Sequence, residues 1–155
     1  MSRIICRTPS TGKPIRVSAV DVSQAFQIIA EAPDFSVPDA PGAFPVRDPL
    51  DESRAIRPGE IFFLTPLSAR NKTEQTQWVE VILIAEDGTQ LELGKIDVPA
   101  GDTAFIPIQG RSLFKRNASG VNGDTLCVRA SADNSFDVWS AAEEKLSSEH
   151  TGVIE

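Results

Sequence analysis

The stretch Trp78-Val79-Glu80-Val81-Ile82-Leu83-Ile84-Ala85, the turn Glu86-Asp87-Gly88-Thr89 and the resumption Gln90-Leu91-Glu92-Leu93 decide the fold class. β-branched and aromatic residues, broken by an Asp-Gly turn and followed by a second short apolar run, read as strand, turn and strand. One face of the first run carries Trp78, Ile82 and Ile84, interrupted by Glu80. The other face, Val79, Val81, Leu83 and Ala85, is wholly apolar. A strand apolar on both faces is expected to be central and covered on both sides. An N-terminal arm or another subunit is the expected cover for the second face.

The pattern repeats outward. After Pro99-Ala100-Gly101-Asp102 comes Ala104-Phe105-Ile106-Pro107-Ile108, and after Asn122-Gly123-Asp124 come Thr125–Ala130 and Phe136–Trp139. Upstream, Ile61–Thr65 follows a turn at Arg57-Pro58-Gly59-Glu60, and Ile15–Val22 alternates imperfectly. Ala25–Ala30 reads as a strand with Phe26, Ile28 and Ala30 on one face. Short strands at near-regular spacing predict an antiparallel, jelly-roll-like β-sandwich. In Phe136–Ser140 the alternation turns Phe136 and Val138 to one side and leaves Trp139 facing outwards.

Residues 31–58 carry six prolines: Pro33, Pro38, Pro41, Pro45, Pro49 and Pro58. Each removes a ladder donor and restricts its predecessor, so the segment is not expected to form a central strand or a helix. It also carries Phe35, Val37, Phe44, Val46, Leu50 and Ile56, more apolar surface than a solvated linker spends. The expectation is an extended arm laid on its own domain or on a neighbour. The chain then divides into N-terminal strands and arm (1–58), a sandwich (59–140) and a short surface tail (141–155), whose first residues tolerate a helical turn or two that is marginal in isolation.

Composition excludes several functions. With 155 residues, net charge −7 and 15 Lys and Arg scattered among 22 acids, the chain lacks the basic footprint that nucleic acid requires. No apolar run approaches the ~20 residues that span a bilayer. Cys6 and Cys127 form no metal-ligand spacing and read as two unpaired thiols, with a disulfide between them the alternative. The single histidine, His150, lies in the tail without a supporting nucleophile and acid. Gly59-Glu60, Gly101-Asp102 and Gly123-Asp124 read as turn chemistry, with glycine supplying positive φ, rather than as a calcium cage. The sequons at Asn71 and Asn117 matter only on a secretory route. Neither catalytic residues nor a metal or cofactor site is expected.

The run from Pro99-Ala100-Gly101-Asp102-Thr103 to Ile108, followed by Asn122-Gly123-Asp124-Thr125-Leu126-Cys127-Val128-Arg129-Ala130-Ser131-Ala132-Asp133-Asn134-Ser135-Phe136-Asp137-Val138, resembles small virion proteins of tailed bacteriophages. There a "PAGD" entry precedes a strand and a "GDTL-x-V-x-AS-A-x-N-x-x-D-V" ending closes a sandwich. The resemblance implies a non-enzymatic structural component, made in the host cytoplasm and built into the virion in many copies. It implies as partners other virion proteins (major capsid, neck or tail subunits) and further copies of itself, with no nucleic acid and no membrane. A capsid decoration or head–tail neck position suits an arm-bearing sandwich. A tail- or fibre-associated protein, or a carbohydrate-binding module used in host adsorption, is the alternative. The candidate subunit contacts are Phe35, Phe44, Val46, Leu50, Ile56 and Trp139.

Overall fold

The computed structural model describes residues 6–7, 12–38, 46–115 and 123–147, and among them every regular element is a strand. In chain order these are β1 (Cys6–Arg7), β2 (Lys13–Val22), β3 (Gln27–Glu31), β4 (Asp34–Pro38), β5 (Arg47–Asp48), β6 (Asp51–Phe63) and β7 (Leu67–Asn71). There follow β8 (Gln77–Ile84), β9 (Gln90–Val98), β10 (Thr103–Ile106), β11 (Ser112–Phe114), β12 (Thr125–Ala130) and β13 (Phe136–Leu146). They form a nine-stranded and a four-stranded sheet, antiparallel apart from the β1–β4 pair.

The strands ordered β2-β13-β7-β10 in the larger sheet face the smaller sheet, ordered β3-β12-β8-β9. At the two sides of this sandwich β2 meets β3 and β9 meets β10. One layer contributes Val17, Ala19, Leu67, Ala69, Ile106, Phe136 and Val138 to the core, and the other Ala30, Val79, Val81, Val98, Leu126 and Val128. Gly94 lets β9 close on β10, because a Cβ there would stand 2.9 Å from Ile106 Cγ2.

β13 organises the larger sheet. On one side it pairs with β2 from Phe136 to Glu144. On the other it pairs first with β7 (Phe136–Trp139) and then with β6 (Ala142–Leu146). The ladder is interrupted at residues 64–66, and side chains bridge the gap. The Leu64 N–H donates to Ala141 O at 2.9 Å, the Ala141 N–H donates to Thr65 Oγ1 at 3.0 Å, and the Ser140 hydroxyl donates to Thr65 O at 3.0 Å. Backbone groups that lose strand partners are thereby satisfied.

The first half of β6 runs past the sandwich and pairs with β4 and β5 as a ribbon. Pro58 is tolerated inside it for a geometric reason. The Ser147 N–H donates to Pro58 O, whereas the Gly59 N–H donates to Pro33 O on the opposite side. In a strand, one residue's N–H and C=O point the same way. The donor that Pro58 lacks would therefore point past the Leu146–Gly59 pair, where the β13 ladder ends.

Several expectations are corrected here. The boundary at 58/59 falls inside β6, and β2 and β3 are sandwich strands, so the described residues before 59 do not form a unit apart from the sandwich. The boundary at 140/141 falls inside β13, and residues 141–146 continue as strand where a surface tail was expected. Residues 57–60 form no turn. Gly59 makes room rather than a bend, since a Cβ would lie 2.3 Å from Phe35 Cε2. Gly123 is similarly crowded, by Phe114 O at 2.7 Å, and only Gly101 of the three takes a left-handed φ, 73°. In β3, a register shift against Leu126 and Cys127 leaves Ile28 outward while Ala30 points inward, so Phe26, Ile28 and Ala30 do not share a face.

The ribbon is anchored where β4 begins. Lys115 Nζ lies 2.8 Å from Asp34 Oδ2, with side-chain exposures of 3% and 0%. Beside it the Phe114 N–H donates to Asp124 Oδ2 at 3.0 Å, and the Ala32 N–H donates to Asp124 O at 3.2 Å. Removing one member of a buried ion pair strands the other charge, which costs more than replacing both. Lys115→Met is expected to lower unfolding free energy by about 3–5 kcal/mol, and Lys115→Met with Asp34→Leu by clearly less, in urea titration. Gly59→Ala is expected to cost about 1–3 kcal/mol, partly recovered by adding Phe35→Leu, because the clash is with that ring.

Candidate functional site

Pleat and register place four outward side chains in one row across the larger sheet. Trp139 of β13 is opposite Ser18 of β2 and Ser68 of β7, and Ser68 is opposite Phe105 of β10. The row therefore reads Ser18, Trp139, Ser68, Phe105, small and large in alternation. Neighbouring strands lie ~4.8 Å apart, so the two rings stand roughly 10 Å apart over the Ser68 furrow. Phe105 is 63% exposed. The interruption at residues 64–66 deepens this furrow into a groove of ≈ 670 Å³, lined chiefly by Trp139, Phe105, Pro66, Ala141, Thr65 and Arg16.

The next row carries charge. Asp137 is opposite Arg70, and Arg70 is opposite Thr103. Lys72 Nζ bonds Asp21 and lies 3.0 Å from Asp137 Oδ1, which also accepts the Asp21 N–H at 3.1 Å. Asp21 reaches this position with a positive φ of 55° at the irregular end of the β2–β13 ladder. Burial pushes the Asp137 carboxyl up. The hydrogen bonds from Lys72 and the Asp21 N–H outweigh it and hold that carboxyl below its ordinary range. The bond to Asp21, then that to Asp137, raises the Lys72 ammonium.

On the outer face of the smaller sheet, charged side chains lie over the two large rings, while Ile28 stays 55% exposed. Arg129 stacks over Phe26 at 4.5 Å and lies 5.7 Å from the Trp78 ring, while Lys95 stands over Trp78 at 4.3 Å. Beneath them Arg129 Nε bonds Glu80 Oε1 at 2.7 Å. Ile82, between Cys127 and Glu92 in register, is buried without an arm over it among the described residues. Among the described residues, Trp78 and Phe26 are covered by long charged side chains lying along the sheet. Burial raises the Glu80 carboxyl, but hydrogen bonds from Arg129 and Glu92 bring it below its ordinary value. Glu92 is raised, first by that hydrogen bond to Glu80 and then by burial.

The structure separates the six expected contact residues. Phe35 and Ile56 are buried within the chain, at 2% and 1% exposure. Val46 is partly buried, with its carbonyl accepting the Ile56 N–H at 3.1 Å. Leu50, in the turn between β5 and β6, is 84% exposed. Trp139 lines the groove. Phe44 lies outside the described residues, as do His150 and Asn117. Phe105, Ser68 and Arg16 were not singled out by sequence reasoning. The alternation in Ala104-Phe105-Ile106 could have flagged Phe105, but the register that sets it beside Trp139 could not be read.

Asn71 is fully buried, with Nδ2 donating to Gln75 O at 2.8 Å and Val98 O at 2.9 Å. Its sequon is therefore structural in the folded chain. Cys127 is a free, buried thiol raised chiefly by burial. Among the described residues no group of three or more His, Cys, Asp or Glu could hold a metal, and no helix is long and apolar enough to cross a membrane. No protein-family model, curated protein or solved structure matches this chain.

The carboxylates set the pH response. Asp137 and Glu80 are held low in the fold, so their contribution is present above the unfolded values of about 4 and is lost on acidification. Glu92 is held high, so its contribution is present in acid and is lost as pH rises through its folded value. Thermal melts from about pH 3 to about pH 8 should show stability falling on both sides of a mildly acidic maximum. Asp137→Asn should flatten the acid limb, and Glu92→Gln, which keeps a donor toward Glu80, should flatten the other.

Proposed function

We propose that the protein is a non-enzymatic structural component of a tailed-bacteriophage virion, assembled in multiple copies as a capsid decoration or head–tail neck subunit. The observation that carries this reading is the presence of two separate exposed apolar features on one β framework. One is the Trp139–Phe105 groove on the sandwich. The other is Leu50, at the far end of β6, whose 13 residues at ~3.3 Å each extend about 40 Å. A large apolar side chain left in water at a hairpin tip, and an apolar groove on a sheet face, suit a subunit that reaches one neighbour while resting on another. The motifs around Gly101-Asp102 and Gly123-Asp124 support the same reading by their resemblance to virion proteins. Within it, the jelly-roll-like description and the reaching arm become the sandwich and its ribbon of β4, β5 and the first half of β6. Other virion proteins are the proposed partners, and the particle is the proposed location.

A second reading draws on the groove alone. Trp139 and Phe105, with the Ser68 and Thr65 hydroxyls and the Arg16 guanidinium nearby, combine stacking surfaces with hydrogen-bonding groups, as a sugar-binding face does. A glycan array probed with the wild type and Trp139→Ala tests it. Quantitative mass spectrometry of particles purified from a lysate in which this sequence is expressed tests the first reading. The expected result is a fixed copy number well above one per particle. Leu50→Asp should lower occupancy severalfold without altering the thermal melt, and absence from washed particles would overturn the reading.

A further inference from the structure

We propose that the outer face of β2-β13-β7-β10 is a self-complementary interface, which pairs two copies of this chain about a two-fold axis running parallel to the strands. The proposal deepens the many-copy assembly proposed above and rests on it for its setting in the particle. Its geometry stands on the sheet alone.

A two-fold axis lying between two facing sheets and parallel to their strands keeps each row at its own height. It reverses the order of strands across the row. The row Ser18, Trp139, Ser68, Phe105 then meets Phe105, Ser68, Trp139, Ser18 of the second copy. Small faces large at all four positions: Ser18 against Phe105, Trp139 against Ser68, and the same two contacts reciprocally. The ridges of one copy enter the furrows of the other, which is how isologous interfaces pack.

The same operation treats the adjacent row independently. Asp137 and Arg70 occupy neighbouring strands there, so reversal sets each Asp137 against Arg70 of the second copy. One symmetry element therefore satisfies shape, and in the charged row it brings Arg70 onto the Asp137–Asp21 carboxylate pair, two acids that share the cation Lys72 in their own copy. The alternative axis, in the sheet plane but perpendicular to the strands, keeps strand order and sets Trp139 on Trp139 and serine on serine. The choice between them follows from the residues. On the other side of the aromatic row, Arg16 and Ala141 are opposite each other, and reversal sets them against the Pro107 and Pro66 positions, neither of which is charged.

Four strands and the five residues 137–141 cover roughly 19 by 17 Å, which places the contact at the weak end of specific interfaces. The expected dimer is reversible, with a Kd of about 10–100 μM, and is populated where copies are held close together.

Sedimentation velocity of the full chain from about 10 μM to about 1 mM tests this. The wild type should pass from monomer to dimer across the range. Phe105→Asp, at an exposed edge-strand position, should remain monomeric with an unchanged circular-dichroism spectrum. Arg70→Asp should weaken dimerisation at least about tenfold by creating two like-charge contacts, and Asp137→Arg should do the same. An equimolar mixture of those two variants should recover dimers, because the mixed pair has both contacts matched. If Asp137→Arg fails to fold, Phe105→Asp and Arg70→Asp carry the test. A wild type monomeric throughout, a dimer indifferent to Phe105→Asp, or no recovery from two folded charge variants overturns the proposal. So does a monomer whose binding to particles requires Phe105, since the face would then belong to a different virion protein. A dimer absent from particles removes the virion reading and leaves this interface; a particle component that stays monomeric does the reverse.

Discussion

A single strand with three partners holds the molecule together. β13 must satisfy its backbone against β2 along one edge and against two successive strands, β7 and β6, along the other. Those two cannot be one uninterrupted strand, because the chain changes course at residues 64–66. The hydroxyls of Thr65 and Ser140 carry the hydrogen bonds that regular pairing would have made. Leu64, Thr65 and Ala141 are exposed at that point, so these two short polar side chains stand in for water and fix how sandwich and ribbon share a spine.

The same interruption links stability to surface. Where the ladder opens, the outer face sinks between Trp139 and Phe105, and the groove results. The rings lie in one row because β7 interposes Ser68 between them. An aromatic at 68 would have filled the furrow, and alanines at 105 and 139 would have left it flat. Charge is set beside it by the Asp137–Lys72–Asp21 cluster, which also ties the β7–β8 loop to the end of β2. The opposite face shows the contrasting solution. There Arg129 and Lys95 lie along Trp78 and Phe26, so charged side chains rather than a groove meet solvent over those rings.

The proline-rich segment illustrates how a local rule yields to context. Six prolines argued against a central strand, yet Pro58 sits within a 13-residue one because its missing donor points past the end of a neighbour. Phe35 and Ile56, apolar enough to suggest a partner, fill the ribbon's own packing instead. Apolar side chains in such a segment show that something will cover them. They do not show which part of which chain will do so.

What the sequence determined by itself is the all-β class and most strand positions, since alternation and turn residues are local properties that neighbours along the chain reveal. Trp139 facing outwards was legible for the same reason, as one step of a period-two pattern. Which strands pair, and in what register, was not legible, because hydrogen bonds between residues 116 positions apart leave no trace in either local segment. Hence the continuation of β13 through residues 141–146, the burial of Phe35 and the meeting of Trp139 with Phe105 across Ser68 belonged to the tertiary structure alone. Pairing of distant strands is chosen by the combined burial of a whole core, and no single stretch of sequence contains that sum.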